Sequence, residues 1–270
     1  MNLPLPQEDL PTDTQATPQR LRLLSYNIQT GTSTNHYRHY VTRSWRQLLP
    51  NKERVSNLSH IAKLVSDYDV IGLQEVDAGS LRSGFINQTE YIADKAQFPY
   101  WYHQTNRRFG KLAQHANGIV SRFRPVSVDD HKLPGPFPGR GAMFVFFGTL
   151  SNPLVIVILH LALGRRTRLR QLGYVADALT RFKHVIVMGD MNCGSNSLEI
   201  KLLTQNANLT EPQHNLLTFP SWNPERNIDH ILVSPTLIIE KVAVLQYTYS
   251  DHLPISMHVV LPRDLRLRAL

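Results

Sequence analysis

The run HVIVMGDMNCG at residues 184–194 stops being apolar at Gly189 and then presents Asp190 and Asn192, one residue apart. Similar interruptions recur along the chain. Asn27 follows LLSY, Glu75 follows VIGLQ, His160 sits within VIVILHLAL, Asp229 and His230 follow RNI, and Asp251 and His252 follow YS. Taken singly, each has an ordinary reading: Asn27 and Asp251 as turn residues, Glu75 as a helix-start carboxylate, His160 as a satisfied core histidine. Taken together, they put carboxylates, amides and imidazoles at the ends of core strands. A buried charge is costly there unless it is paired or binds a metal.

Two kinds of chemistry suit that set. Dispersed carboxylate and amide oxygens suit a hard cation, Mg2+ first and Mn2+ second. Cys193 is the only cysteine, which excludes a thiolate metal cluster and an intramolecular disulfide. HYRHY at 36–40 is the only hint of a zinc site and reads as a solvated or substrate-facing loop. An Asp beside a His fixes the ring tautomer and favours the imidazolium. Asp229 and His252 can pair in this way across neighbouring strands. A metal and a charged His can then hold a phosphoryl group from two sides while Asp190 orients or deprotonates water. No G-x-S-x-G elbow, Walker A loop or dinucleotide glycine fingerprint occurs.

The elements that must position these residues follow from periodicity. Strands are expected at 21–28, 69–74, 115–121, 143–150, 154–161, 185–188, 228–233, 237–245 and 254–261. Amphipathic helices are expected at 54–66, 89–96 and 167–182. The SNP turn after residue 150 is too short for a parallel crossover, so antiparallel pairs are expected. The reading is one α/β domain over 21–262, with mixed sheets and helices packed outside. A Pro-, Gln- and Thr-rich disordered leader over 1–20 precedes it, and a basic tail over 263–270 follows.

At this point the motifs resemble a family. In order, LRLLSYNIQ, VIGLQEV, HANGIVSR, VILHLALG, VIVMGDMN, RNIDHILVS and YSDHLPIS are similar to those of the endonuclease/exonuclease/phosphatase superfamily. The match runs over about residues 21–262. The resemblance implies a four-layer α/β/β/α sandwich with two mixed, largely antiparallel sheets, and phosphoester hydrolysis with Mg2+. It implies that Glu75 is the principal metal ligand, with Asn27 and Asp251 beside it. Asp190 then activates or positions water, Asn192 holds the nucleophile and a phosphate oxygen, and His252 contacts the scissile phosphate. Asp229 orients His252, and His160 is a further phosphate contact. Several nucleases of the group carry an acidic residue where this chain has Gln29, which weakens a two-metal scheme.

The partners follow from charge. The formal net charge is +8, which favours polyanions. Basic residues cluster at 38–54, 101–111 and 164–170, with aromatics interleaved in the first two. Arg165 and Arg166, with Asn117 and Arg140, are the expected substrate-binding residues. The first reading is a phosphodiesterase or nuclease, with nucleic acid as substrate. The alternative is a phosphatase or phospholipase acting on a small or lipid phosphoester, an anionic lipid headgroup included. A non-enzymatic binding module on the same fold is disfavoured, because every chemical position except Gln29 is filled. The longest apolar run, at 154–163, is shorter than the roughly 20 residues a membrane helix needs. The N-terminus lacks the pattern of a secretory signal. A cytoplasmic setting and no protein partner are expected.

Overall fold

Strict alternation in the apolar strands decides the architecture. In residues 154–159, Leu154, Ile156 and Ile158 join one buried cluster while Val155, Val157 and Leu159 join another. A strand that is apolar on both faces must be covered on both sides. In the computed structural model, which describes residues 17–32, 52–136, 139–212 and 216–269, one face meets a second sheet and the other meets helices.

The first sheet has six strands in the order β10-β11-β1-β2-β4-β3. These are β1 (Arg20–Asn27), β2 (Val70–Asp77), β3 (Tyr100–Phe109), β4 (Ala113–Ser121), β10 (Ile238–Val244) and β11 (Ile255–Val260). The second has five in the order β5-β6-β7-β8-β9. These are β5 (Ser127–Lys132), β6 (Gly141–Gly148), β7 (Pro153–His160), β8 (His184–Asp190) and β9 (Asp229–Val233). Leu21, Leu23, Ile156, Ile158, Ile186 and Met188 fill the space between the sheets. Helices α1 (Lys52–Val65) and α2 (Gln88–Lys95) cover the first sheet through Leu58, Ile61 and Ile92. Helices α3 (Arg165–Leu179) and α4 (Leu198–Asn206) cover the second through Leu172, Val175 and Ile200. The result is the expected four-layer α/β/β/α sandwich.

Among the described residues, only β1–β2 and β7–β8 pair in parallel. Each parallel pair is bridged by a helix, α1 or α3, as a parallel crossover requires. The carboxyl ends of β1, β2, β7 and β8 carry Asn27, Glu75, His160 and Asp190. β9 runs antiparallel to β8, so its first residue, Asp229, pairs with Asp190. β11 runs antiparallel to β1, which brings the residues just before it, Asp251 and His252, to the same rim.

Three elements were not expected from the sequence. β3 and β5 are edge strands, and much of their length faces solvent. Helix α4 is short and starts at a Ser197 cap whose hydroxyl accepts from the Ile200 N–H. Residues 1–16 of the expected leader lie outside the described residues, but Gln19 and Arg20 are ordered into the sheet. The Leu261 N–H donates to the Gln19 carbonyl at 2.8 Å, and β1 begins at Arg20. In the basic segment after 262, Leu265 and Leu267 enter the inter-sheet core. No helix among the described residues is long and apolar enough to cross a membrane.

Candidate active site

Four strand ends, the start of β9 and the segment before β11 bring six polar side chains together. Asp190 is the hub. Its Oδ1 accepts the Asn192 N–H at 2.9 Å. Its Oδ2 accepts from Asn27 Nδ2 at 3.2 Å and lies 3.3 Å from His160 Nε2. His160 Nε2 is also 3.9 Å from Glu75 Oε1. His252 Nε2 stands 3.8 Å from Asp190 Oδ2, too far for a direct hydrogen bond, which leaves its N–H for a third group. Its other nitrogen, Nδ1, meets Asp229 Oδ2 at 2.8 Å, and the Thr218 hydroxyl donates to the same oxygen at 2.5 Å.

Local structure explains how these groups are aimed. A β-bulge interrupts the β2–β4 register between Leu73 and Val76, and Glu75 within it has a left-handed φ of 55°. Bulges of this kind re-aim a side chain. Asn192 is also left-handed, with φ 53°. Asn tolerates that conformation, and here it turns the chain so that Asn192 Nδ2 donates to the Leu161 carbonyl at 3.0 Å. Asn192 thus ties the end of β8 to the residue after β7. Its backbone, rather than its side chain, touches Asp190. Asn27 Oδ1 accepts the Gln29 N–H at 3.1 Å, and Ser250 Oγ donates to the Asn27 carbonyl at 2.7 Å.

The electrostatics separate the groups. Burial pushes the Asp190 carboxyl up, against the charge of His252 and with help from Asp229 and Glu75. Burial opposes charge on His252, but Asp229 first and Asp190 second outweigh it and raise its pKa. His160 goes the other way: burial, Arg140 and His252 hold it well below the ordinary histidine value. The site therefore pairs a charged imidazole with a neutral one. Glu75 is pushed up by burial and by the neighbouring Asp251 carboxylate.

Two carboxylates that repel each other and an amide oxygen form a donor set that a hard divalent ion fits. Glu75, Asn27 and Asp251 supply those oxygens. Asp190, Asp229 and His252 also place ligand atoms within 4.8 Å of one another. In that trio Asp229 and His252 Nδ1 already satisfy each other, so it is better described as a hydrogen-bonded relay.

Beside this cluster lies a cavity of about 500 Å3. Its wall includes Glu75, His160, Asn117 and Arg140. Asn117 is buried, and its Nδ2 donates to the Gly141 carbonyl at 3.2 Å, joining β4 to β6. Arg165 and Arg166, expected from sequence to bind substrate, do not line the cavity. From helix α3 and its cap, Gly164, Thr167 and Gln171 reach it, on one face at helical spacing. Arg165 and Arg166 fall off that face and are exposed. Arg168, in the same basic segment, is held by Glu199 at 2.9 Å and by backbone carbonyls, Leu163 among them. Most of the basic cluster at 38–54, and HYRHY, lie outside the described residues.

From the basic cluster at 101–111, Asn106 and Arg107 line the cavity, and so does His115, which sequence reasoning did not single out. Nor did it single out Thr218 behind Asp229. His115 stands at a strand end, the signal that found the others. His230 was grouped with the site residues, but it faces away from them. Successive residues of a strand point to opposite faces, so Asp229 and His230 cannot both reach the cluster. His230 Nδ1 meets Glu211 Oε1 at 2.7 Å and Nε2 meets the Cys193 carbonyl at 2.7 Å.

A model of the Endonuclease/Exonuclease/phosphatase family matches residues 24–252. No curated protein sequence matches the chain. Solved structures do. An endonuclease/exonuclease/phosphatase from Beutenbergia cavernae is 18% identical with a TM-score of 0.70, over 90% of this chain and 72% of the other. A mannosyl-6-phosphatase from Bacteroides thetaiotaomicron is 20% identical with a TM-score of 0.65, over 89% of this chain and 100% of the other. The human Nocturnin catalytic domain with bound sulfate is 16% identical with a TM-score of 0.67, over 89% and 94%. At these identities the likeness is one of fold.

Proposed function

Since the chain belongs to the Endonuclease/Exonuclease/phosphatase family of phosphoester hydrolases, we propose that its strand-end cluster hydrolyses a phosphoester by direct attack of water on phosphorus. One observation carries this reading. A carboxylate of weakened acidity, Asp190, lies between a neutral His160 at 3.3 Å and a charged His252 at 3.8 Å, next to a cavity.

A divalent ion, Mg2+ first and Mn2+ second, would be held by Glu75, Asn27 and Asp251, and when bound it would neutralise charge on the phosphate oxygens. The remaining work falls to the chain's own groups. Asp190 accepts the proton of the attacking water; burial raises its basicity, and Asn27 and Asn192 fix its orientation. His252, kept charged by Asp229, directs its free Nε2–H at a phosphate oxygen, where it stabilises the developing charge. His160, kept neutral, holds Asp190 from the other side. Arg140 on the cavity wall pairs with a second phosphate oxygen.

The cavity supports taking a small phosphoester as the first of the two substrate classes. A concave site of about 500 Å3 supports a compact phosphoester, within the roughly 300–1,000 Å3 range of small-molecule pockets. A nuclease or other phosphodiesterase is the second reading, supported by the net charge of +8 and by exposed Arg108 and Arg165, each next in sequence to a cavity-lining residue. Binding of single-stranded DNA that weakens steeply with salt would favour the second. A cytoplasmic setting is part of the proposal, consistent with a single, buried cysteine.

The test is Mg2+-dependent turnover of p-nitrophenyl phosphate and bis(p-nitrophenyl) phosphate. Wild type should act on at least one, and Asp190→Ala and His252→Ala should each lower kcat by roughly 100- to 10,000-fold. Absence of turnover by the wild type, or survival of it in both variants, would remove the reading.

A further inference from the structure

The cavity contains more positive charge than one phosphate requires. Among the described residues, the side chains of Arg107 and Arg140 on its wall form no hydrogen bond or ion pair, and the Arg107 guanidinium lies over the Phe109 ring at 4.2 Å with its N–H edge left for an anion. The charge of Arg140 acts on Glu75 and His160, so Arg140 belongs to the reacting phosphate. Arg107 is exposed where Arg140 is half-buried, which sets it on the outer part of the same wall, and its charge acts on His115 and on Arg140. Burial lowers the Arg140 pKa, Glu75 and Asp190 only partly restore it, and Arg107 lowers it further. Burial together with Arg82 and the two cavity arginines drives His115 down to about 4, so it brings no charge of its own at neutral pH.

Two backbone features build this arrangement. The β3–β4 register shifts between Thr105 and Arg107. Asn106 is the extra residue, and in a regular strand Asn106 and Arg107 would point to opposite faces. With the bulge, both line the cavity. The second feature is the sequence Gly139-Arg140-Gly141. A Cβ at 139 would lie 3.0 Å from Arg107 Cδ, and Gly139 has φ +120°, a conformation that side chains rarely adopt. A Cβ at 141 would collide with the side-chain oxygens of Asn106 and Gln104. The two glycines let the Arg140 segment lie directly against Asn106 and Arg107.

We propose that Arg107 and Asn106, with Arg140 shared between the two positions, form a second anion site in the cavity. The substrate is then a small phosphoester whose leaving group carries a further phosphate. The inference rests on the phosphoester reading above. The Arg107 guanidinium supplies a planar fork for phosphate oxygens, and the Asn106 amide adds a neutral donor. A lone cavity arginine would serve a monophosphate equally well, so the second arginine is what selects.

The experiment is calorimetric binding with Mg2+ present, in an Asp190→Asn background that blocks turnover. Two ligand pairs sample two phosphate spacings: glucose 1,6-bisphosphate against glucose 6-phosphate, and adenosine 3′,5′-bisphosphate against adenosine 5′-monophosphate. In at least one pair the bisphosphate should bind about tenfold tighter, the size of one charge-assisted hydrogen bond. Arg107→Met should abolish that preference, Arg107→Lys should keep part of it, and Arg140→Met should weaken both members of the pair. Equal binding within both pairs, or a preference that survives Arg107→Met, overturns the second site. So does a 5′-phosphorylated dinucleotide that outbinds both bisphosphates, which would assign the same chemistry to an oligonucleotide. Failure of this test with Asp190-dependent turnover intact leaves the hydrolase reading standing; loss of the hydrolase reading leaves a measured bisphosphate preference standing.

Discussion

Asp190 and Asp229 are neighbours across two strands, yet their contacts assign them opposite work. Asp229 accepts from the Thr218 hydroxyl and from His252 Nδ1, so it acts through the ring it holds. Asp190 is met by neutral donors, Asn27 and the Asn192 N–H, and burial leaves it ready to take a proton. Asp229→Asn should therefore keep the fold and lose turnover by roughly a thousandfold, because an amide can donate to Nδ1 and no longer favours the imidazolium. Steady-state kinetics on p-nitrophenyl phosphate, with circular dichroism to confirm folding, check this; near-normal kcat would take Asp229 out of the mechanism. Glu75 is tested differently, since its role is to hold an ion. Glu75→Gln removes the charge while keeping the shape, and Mg2+ affinity measured by calorimetry without substrate should fall at least about tenfold. An unchanged Mg2+ isotherm would place the ion elsewhere.

On the scale of elements, β9 divides its first two residues between two tasks, Asp229 towards the rim and His230 towards the outer layer. Both His230 nitrogens face acceptors, Glu211 and the Cys193 carbonyl, so the ring needs both protons. Burial opposes that charge, but Glu211 and the carbonyl outweigh it and raise the pKa. The clamp fixes Cys193, next to Asn192, and so steadies the turn that follows Asp190. A raised histidine contributes stability that is fully present below its unfolded pKa of about 6.5 and is lost as pH rises through the folded value. His230→Leu should cost about 3 kcal/mol in urea unfolding at pH 6, the low end for breaking a buried pair, and the deficit should narrow at pH 9.5. A deficit independent of pH would mean that packing alone is lost. The same strand logic explains what the sequence could reveal. Asn27, Glu75, His160, Asp190, Asp229 and His252 were legible because a polar residue at the end of an apolar run is costly without a reason. β3 and β5 were not, since edge strands face water and need no apolar pattern. The basic cluster at 101–111 was legible, but which of its residues reach the cavity depended on a bulge at Asn106, which has no composition signal. Arg165 and Arg166 stand off the cavity wall because closeness in sequence to His160 does not fix which face of α3 a side chain takes.

For the whole molecule, the strands that carry the site at one end are closed at the other by the chain's own termini. Gln19 lies just before β1, where its side-chain carbonyl accepts the Leu267 N–H at 2.9 Å. The Arg124 N–H donates to the Arg268 carbonyl at 2.9 Å, and Lys183, just before β8, lies 3.4 Å from Asp264. Leu265 and Leu267, 1% and 6% exposed, plug the inter-sheet core there. Strands β1 and β7 have eight residues each, so at about 3.3 Å per residue this seal sits roughly 25 Å from the reacting groups. Stability and chemistry should separate across that distance. Leu265→Ala removes a buried side chain from a core that cannot collapse freely, and should lower unfolding free energy by about 3 kcal/mol. Domains of this kind carry about 5–15 kcal/mol in total, so the variant stays folded at 25 °C, with kcat and KM for a phosphoester close to wild type. Urea midpoints and kinetics on the same preparation decide it. An unshifted midpoint would mean that the C-terminal segment adds nothing to the core, whereas a collapse of kcat in a fully folded variant would mean that the two ends of the sandwich are coupled through the strands.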